Sequence, residues 1–180
     1  MLAALLPPDT PAGDLDRLLG LSTMPDGSPG LLDINGHAAR VVTEYLFQCT
    51  AALLAADSHA VGIPVWRYFY NASFPNTDIY PRSGAYHSAD VKTLFGTFPL
   101  SDVTPFQVQL HLAMQSAWAA FAKDPTRGPG WDAAPAAIAV LGGGASPGVP
   151  DDGRMPISVV SPERIDRRCP LYNGLYNLPA

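Results

Sequence analysis

Charge is scarce in this chain of 180 residues: Asp, Glu, Lys and Arg together make up 15% of it, and only two of them are glutamates, Glu44 and Glu163. The formal balance of -5, with a pI near 5.1, provides no basic surface for drawing in phosphate backbones, which excludes nucleic acid as an expected partner. Long apolar runs are missing as well. The longest at the start, Leu2 to Leu6, falls far short of the ~20 residues that a membrane span needs and lacks the basic flank of a secretory signal, so neither a span nor an export signal is expected here. Cysteine is limited to Cys49 and Cys169; the pair permits one disulfide at most, with a buried free thiol as the alternative for Cys49. What the chain does have is 47% hydrophobic residues, enough for one substantial core.

Residues 7 to 32 are rich in Pro, Gly and Asp around one amphipathic piece, Leu15 to Leu21, and read as irregular structure with a turn or two of helix. From Asn35 the pattern changes. Ala38, Val41, Val42, Tyr45, Leu46, Cys49, Ala52 and Leu53 recur at steps of three and four, which predicts one apolar face of a helix running to about Ala56. Ile63 to Tyr70 is dense in β-branched and aromatic residues, between Gly62 and the turn formers of Asn71 to Asn76, and predicts a strand. Apolar residues on both its faces suit a covered, parallel sheet, and a helix leading into such a strand points to the α/β class.

A long loop from Asn71 to Ala85, punctuated by Pro75, Asn76, Asp78, Pro81 and Gly84, delivers the chain to His87. It opens on a sequon, Asn71-Ala72-Ser73, a glycosylation site if the chain enters a secretory route and unused otherwise. A short helix from Ser88 to Phe95 follows, closed by Gly96. The best-marked element starts at Thr104: Thr-Pro-Phe-Gln supplies an N-cap, a proline at the first helical position and Gln107 to complete a capping box. This helix should run to about Lys123 and bury Phe106, Leu110, Met114, Trp118 and Phe121, a gain on the order of 10 kcal/mol. Beyond Trp131, Leu141 to Pro150 reads as a flexible Gly-rich passage, Ile157 to Val160 as an edge strand, and the rest as a tail pinned by Ile165, Cys169 and Leu171.

Of the four histidines, His37, His59 and His111 occupy helix boundaries or a helix face where a polar ring is ordinary. None stands at metal-ligand spacing with another histidine, a cysteine or a carboxylate pair, so no metal and no cofactor is expected. His87 differs in its place: after a strand and a long loop, just before a helix, where an α/β fold presents side chains at the carboxyl edge of its sheet.

The stretch from Gly84 through Tyr86-His87-Ser88-Ala89-Asp90 to Leu94-Phe95-Gly96 resembles the catalytic-histidine segment of the type B carboxylesterase/lipase family, the cholinesterase-like α/β-hydrolases. The resemblance continues through Phe47-Gln48-Cys49, Val65-Trp66-Arg67-Tyr68-Phe69-Tyr70, Ala117 to Pro125, Gly128-Pro129 and Trp131, in the family's order. It covers roughly residues 38 to 131, with a weaker match in the tail. It implies the C-terminal portion of an α/β-hydrolase fold and a serine hydrolase of carboxylic esters. His87 would take the proton from a serine hydroxyl and return it to the leaving alcohol. Asp90 matches an acidic position beside the family's histidine, where it would steady the loop; as a carboxylate at a helix N-terminus it is also favourable for purely local reasons.

The same comparison exposes what is lacking. The family's serine stands in a Gly-x-Ser-x-Gly elbow upstream of the histidine, with the acid between them, and nothing of the kind precedes His87; neither glutamate occupies the acid's place. Gly144-Ala145-Ser146-Pro147-Gly148 matches the elbow formally. It follows the histidine, however, lies in a Gly/Pro run read as having no flanking strand or helix, and places Pro147, which has no N–H for an oxyanion hole, directly after the serine. Pairing of His87 with Ser83 or Ser88 is disfavoured, because near neighbours in sequence rarely reach nucleophile-base geometry.

The expectation is therefore an irregular segment over 1–32, the C-terminal part of a carboxylesterase type B domain over 33–131, and a Gly/Pro-rich tail over 132–180. The chain supplies the catalytic His87 of an ester hydrolase and by itself catalyses nothing; the partners implied are a small-molecule carboxylic ester and the missing N-terminal part of the hydrolase domain. A non-catalytic, hydrolase-like binding module is the alternative. Asn71 and the cysteine pair favour a secreted parent.

Overall fold

The computed structural model of the chain describes residues 34–81, 83–149 and 153–176, together with Thr10 and Gly13. The amphipathic piece at Leu15 to Leu21, and the irregular segment around it, lie outside the described residues. The chain divides into two units, Met1–Leu54 with Glu163–Ala180, and Ala55–Pro162.

In the first unit the expected helix is interrupted. Helix α1, Ile34–Val42, passes into a π-helical turn, Thr43–Gln48, before α2, Cys49–Ala60. The π turn is closed by the Cys49 N–H donating to the Glu44 carbonyl, and the Thr50 hydroxyl donates to the Tyr45 carbonyl at 2.8 Å. Each widened turn rotates the following residues off the 3.6-residue stripe. Leu46, expected on the apolar face, is therefore 47% exposed, while Glu44 is buried. A small core of Val41, Cys49, Tyr172 and Leu175 is flanked by Tyr45, Leu171 and Tyr176, with the Tyr45 and Tyr176 rings stacked at 5.0 Å.

The tail that supplies Tyr172 and Leu175 is ordered, as helix α5, Pro162–Asp166, and a 3-10 turn, Cys169–Leu175. Cys49 and Cys169 are joined in a disulfide across 120 residues of sequence. Closing so long a loop removes conformational freedom from the unfolded chain. Replacing both cysteines with alanine should cost about 2–4 kcal/mol of stability, to be read as a lower urea midpoint of the alanine variant than of the wild type.

The second unit is built on a three-stranded sheet in the order β1-β2-β3, from β1 (Arg67–Ala72), β2 (Ile138–Ala145) and β3 (Ile157–Val160). β1 and β2 run parallel, with Arg67 opposite Ile138 and Ala72 opposite Ala145; β3 is antiparallel to β2. Helix α3, Ala89–Phe95, and helix α4, Pro105–Lys123, complete the unit. The core joins Phe106, Leu110, Met114 and Ala117 of α4 to Ala72, Ala139, Leu141 and Ala145 of the sheet.

Two expectations change here. The Gly-rich passage is not a loose linker, and the tail is not irregular: residues 138–145 form the central strand. Gly142 stands at φ +93° where a Cβ would come within 2.4 Å of the Ala72 Cβ, so the absent side chain is what lets β2 approach β1 that closely. The irregularity in the β1/β2 register between Tyr70 and Ala72 falls at the same place.

Helix α4 begins as expected, with Gln107 N–H donating to Thr104 Oγ1 at 3.0 Å and proline at its start. Its buried face is Phe106, Gln107, Leu110, Met114 and Ala117. Phe121 is 41% exposed instead of buried. The reciprocal half of the capping box is not made, since neither amide atom of the fully buried Gln107 has a hydrogen-bond partner.

Candidate functional site

Because β1 and β2 are parallel and end level at Ala72 and Ala145, both strands release their chains at the same edge, where α/β proteins gather their chemistry. The loop leaving β1 is closed on itself by side chains. The Asp78 carboxylate accepts from Ser73 Oγ at 2.7 Å and from Ser83 Oγ at 3.2 Å, tying the strand end to the far limb of the loop. Ser83 Oγ in turn accepts the Ile79 N–H. The Tyr86 hydroxyl donates to the Thr77 carbonyl at 2.9 Å, and the Lys92 ammonium lies 5.9 Å from the Tyr86 ring centroid.

His87 comes directly after this clasp. The Ala89 N–H donates to the Tyr86 carbonyl at 2.9 Å, and Ser88 takes φ 72° and ψ 7°, so Tyr86 to Ala89 form a type II turn with His87 at its second position and the left-handed residue at its third. The histidine side chain is exposed. A serine in that conformation is strained relative to glycine; the tied loop before it and α3 after it hold it there.

Helix α3 is pinned by β1. Tyr68 and Tyr70 stand on one face of the strand and their hydroxyls reach the helix: Tyr68 donates to Asp90 Oδ2 at 2.9 Å, and Tyr70 lies 2.9 Å from Thr93 Oγ1. The Thr93 carbonyl meets His111 Nδ1 at 2.8 Å. His111 is thus engaged in fastening α3 to α4, and a Cβ on Gly96, at the α3 C-cap, would strike its ring. Asp90 holds the tyrosine from the first turn of α3, which gives its carboxylate a concrete steadying contact. Sequence reading singled out neither tyrosine, although their spacing of two along a strand places both hydroxyls on the same side.

The two phenols are both pushed up to about 12, chiefly by burial, with the Asp90 charge adding to the rise at each. An unfolded tyrosine loses its proton near pH 10. The folded chain keeps protons that the unfolded chain releases between about pH 10 and pH 12, so this contribution is fully present below pH 10 and is lost as the pH climbs through 12. Urea midpoints followed by circular dichroism should hold steady to about pH 10 and fall above it. The fall should be shallower in the double variant Tyr68→Phe, Tyr70→Phe, with Tyr172 and Tyr176, also raised by burial, supplying the remainder.

The other expected positions are placed as follows. Ser146 follows β2 directly, so the Gly-x-Ser-x-Gly match does have a strand before it, a correction to the reading of that stretch. No helix comes after it: the Val149 N–H closes a turn onto the Ser146 carbonyl at 3.1 Å, and Pro147 offers no N–H. A small cavity of about 60 Å³ there is lined by Ser73, Phe74, Thr104, Ser146 and Pro147. Asn71 is exposed, while its sequon partner Ser73 is buried and engaged with Asp78. His59 is exposed in the last turn of α2, and the side chain of His37 lies outside the described residues. Among the described residues no three His, Cys, Asp or Glu side chains group as metal ligands, and no helix is long and apolar enough to cross a membrane.

No protein-family model matches the chain. Two curated proteins are similar to part of it. A chlorogenic acid esterase of Aspergillus niger is 36% identical over 90 residues, 49% of this chain and 18% of the esterase. Secreted lipase 5 of Gibberella zeae is 32% identical over 82 residues, 45% of this chain and 15% of the lipase. The similarity to the chain thus spans less than a fifth of either relative.

Proposed function

We propose that this chain is a portion of a carboxylic ester hydrolase of the type B carboxylesterase/lipase kind, and that His87 is its general base and acid. The observation that carries the reading is the partial identity to an esterase and to a lipase, joined to a histidine displayed on a tied turn at the carboxyl edge of a parallel strand pair. In this reading His87 removes the proton of a serine hydroxyl as it attacks the ester carbonyl, then delivers that proton to the departing alcohol; water repeats the cycle on the acyl-enzyme. The serine and the acid that orients the imidazole come from a further part of the hydrolase domain. Asp90, held by Tyr68, steadies the turn and is not the triad acid. The disulfide suits an oxidising compartment and so an exported parent.

A stand-alone binding module is disfavoured by the surface. Phe95 is 67% exposed and Leu100 86%, apolar area that a self-sufficient domain covers. The test is an assay of the chain alone with an aryl ester such as p-nitrophenyl butyrate, together with labelling by a serine-directed fluorophosphonate. No turnover and no labelled serine are expected. Labelling of Ser146, or turnover lost on His87→Ala, would overturn the placement of the nucleophile elsewhere.

A further inference from the structure

The two edges of the sheet are built differently. β3 is four residues long, preceded by Pro156 and followed by Ser161-Pro162, a short and proline-flanked edge of the sort that resists further pairing. β1 is six residues long, Arg-Tyr-Phe-Tyr-Asn-Ala, with neither proline nor lysine, and among the described residues no strand pairs with its outer side. Parallel strands belong inside sheets covered on both sides, so an unprotected edge on the parallel member of the sheet is the unexpected one.

Beside β1 lies an open groove of about 340 Å³, lined by Pro64, Trp66, Tyr68, Trp118, Phe121 and Trp131. Tyr68 meets Trp118 edge-on at 5.1 Å and Trp66 meets Phe121 at 5.6 Å, so the aromatic walls are held by one another. Tyr68 is 42% exposed, Phe121 41% and neighbouring Ile63 56%. Apolar surface of this kind, continuous with an unpaired strand, is built to be covered.

We infer that the outer edge of β1 and this groove together seat another segment of the hydrolase domain: a strand parallel to β1 whose apolar side chains enter the groove. The inference rests on the ester-hydrolase reading, because it is the relatives, matched over 18% and 15% of their lengths, that possess such additional chain. A second copy of this chain fits less well. Two copies related by a twofold axis would bring their β1 edges together antiparallel, in a sheet whose neighbouring pair is parallel.

The portion of the Aspergillus niger esterase outside its matched stretch, produced separately, is the probe. Mixed with the full 180-residue chain, it should co-elute on size exclusion and slow hydrogen exchange at the amides of residues 67–71 by about tenfold or more. Phe121→Asp should weaken the complex about tenfold or more, whereas Val159→Asp, at an exposed position on β3, should leave it intact; both variants should first be shown to melt with the wild-type chain. The inference is overturned by an absent complex, by protection confined to residues 157–160, by a Phe121→Asp variant that binds as well as wild type, or by self-association of the chain through β1. A complex that protects β1 yet hydrolyses no p-nitrophenyl butyrate would uphold the interface and remove the hydrolase reading.

Discussion

Replacing His87 with alanine in an assembled hydrolase that contains this chain should lower kcat for a simple aryl ester by about 10⁴-fold to 10⁶-fold, the range seen when a serine hydrolase loses its general base. The size of the effect follows from the chemistry proposed. A serine hydroxyl is a poor nucleophile while it keeps its proton, and no other imidazole is fastened to the same turn: His111 is committed to the Thr93 carbonyl, and His59 lies in α2. The turn also limits the collateral damage. His87 is exposed, so shortening it leaves no buried cavity, and the melting transition should move little. A His87→Ala variant that melts normally while KM stays within a few-fold of wild type would separate lost proton transfer from lost binding. Retention of a tenth or more of the wild-type kcat would show that His87 is not the base.

Where the histidine would stand was legible because it depends on local signals. Proline and glycine punctuation marked a loop, β-branched and aromatic residues marked a strand before it, and Thr104 with Pro105 marked the start of α4. The strand bounds moved, from 63–70 to Arg67–Ala72, since Pro64 and the residues around it run extended without regular pairing. What holds the turn was not legible. The contacts of Tyr68 with Asp90 and of Tyr70 with Thr93 join residues 22 and 23 apart, and only the three-dimensional arrangement of β1 against α3 selects these partners among the chain's tyrosines.

Two misreadings share a cause in backbone geometry that side-chain patterns do not encode. Three successive glycines ordinarily signal a flexible linker. In β2 they permit close contact with β1, and Gly142, Gly143 and Gly144 all take positive φ within a strand whose flanking residues Leu141 and Ala145 are buried. The π turn at Thr43–Gln48 likewise breaks the helical phase, so a stripe counted at steps of three and four places Leu46 inside and overlooks Glu44. Neither error touches the residues of the His87 turn, which is why the site was easier to read than the framework around it.

Glu44 is where that error carries the largest energetic consequence. Its buried carboxylate accepts from the Tyr172 hydroxyl at 2.6 Å and faces Arg168 Nε at 2.9 Å from each of its oxygens; Tyr172 itself is fully buried. Burial and this hydrogen bond raise the Tyr172 phenol well above its usual range. Truncation by Glu44→Ala would strand the mostly buried Arg168 cation and a buried hydroxyl together, a loss of about 3–5 kcal/mol. Glu44→Gln keeps the volume and one acceptor oxygen and should cost less, while Glu44→Ala combined with Arg168→Met, which removes both charges, should recover most of the difference. Urea unfolding of the three variants tests the order: if the single Glu44→Ala change proves no worse than the double change, the ion pair is not what holds this part of the chain, and the disulfide between Cys49 and Cys169 is left as its principal fastening.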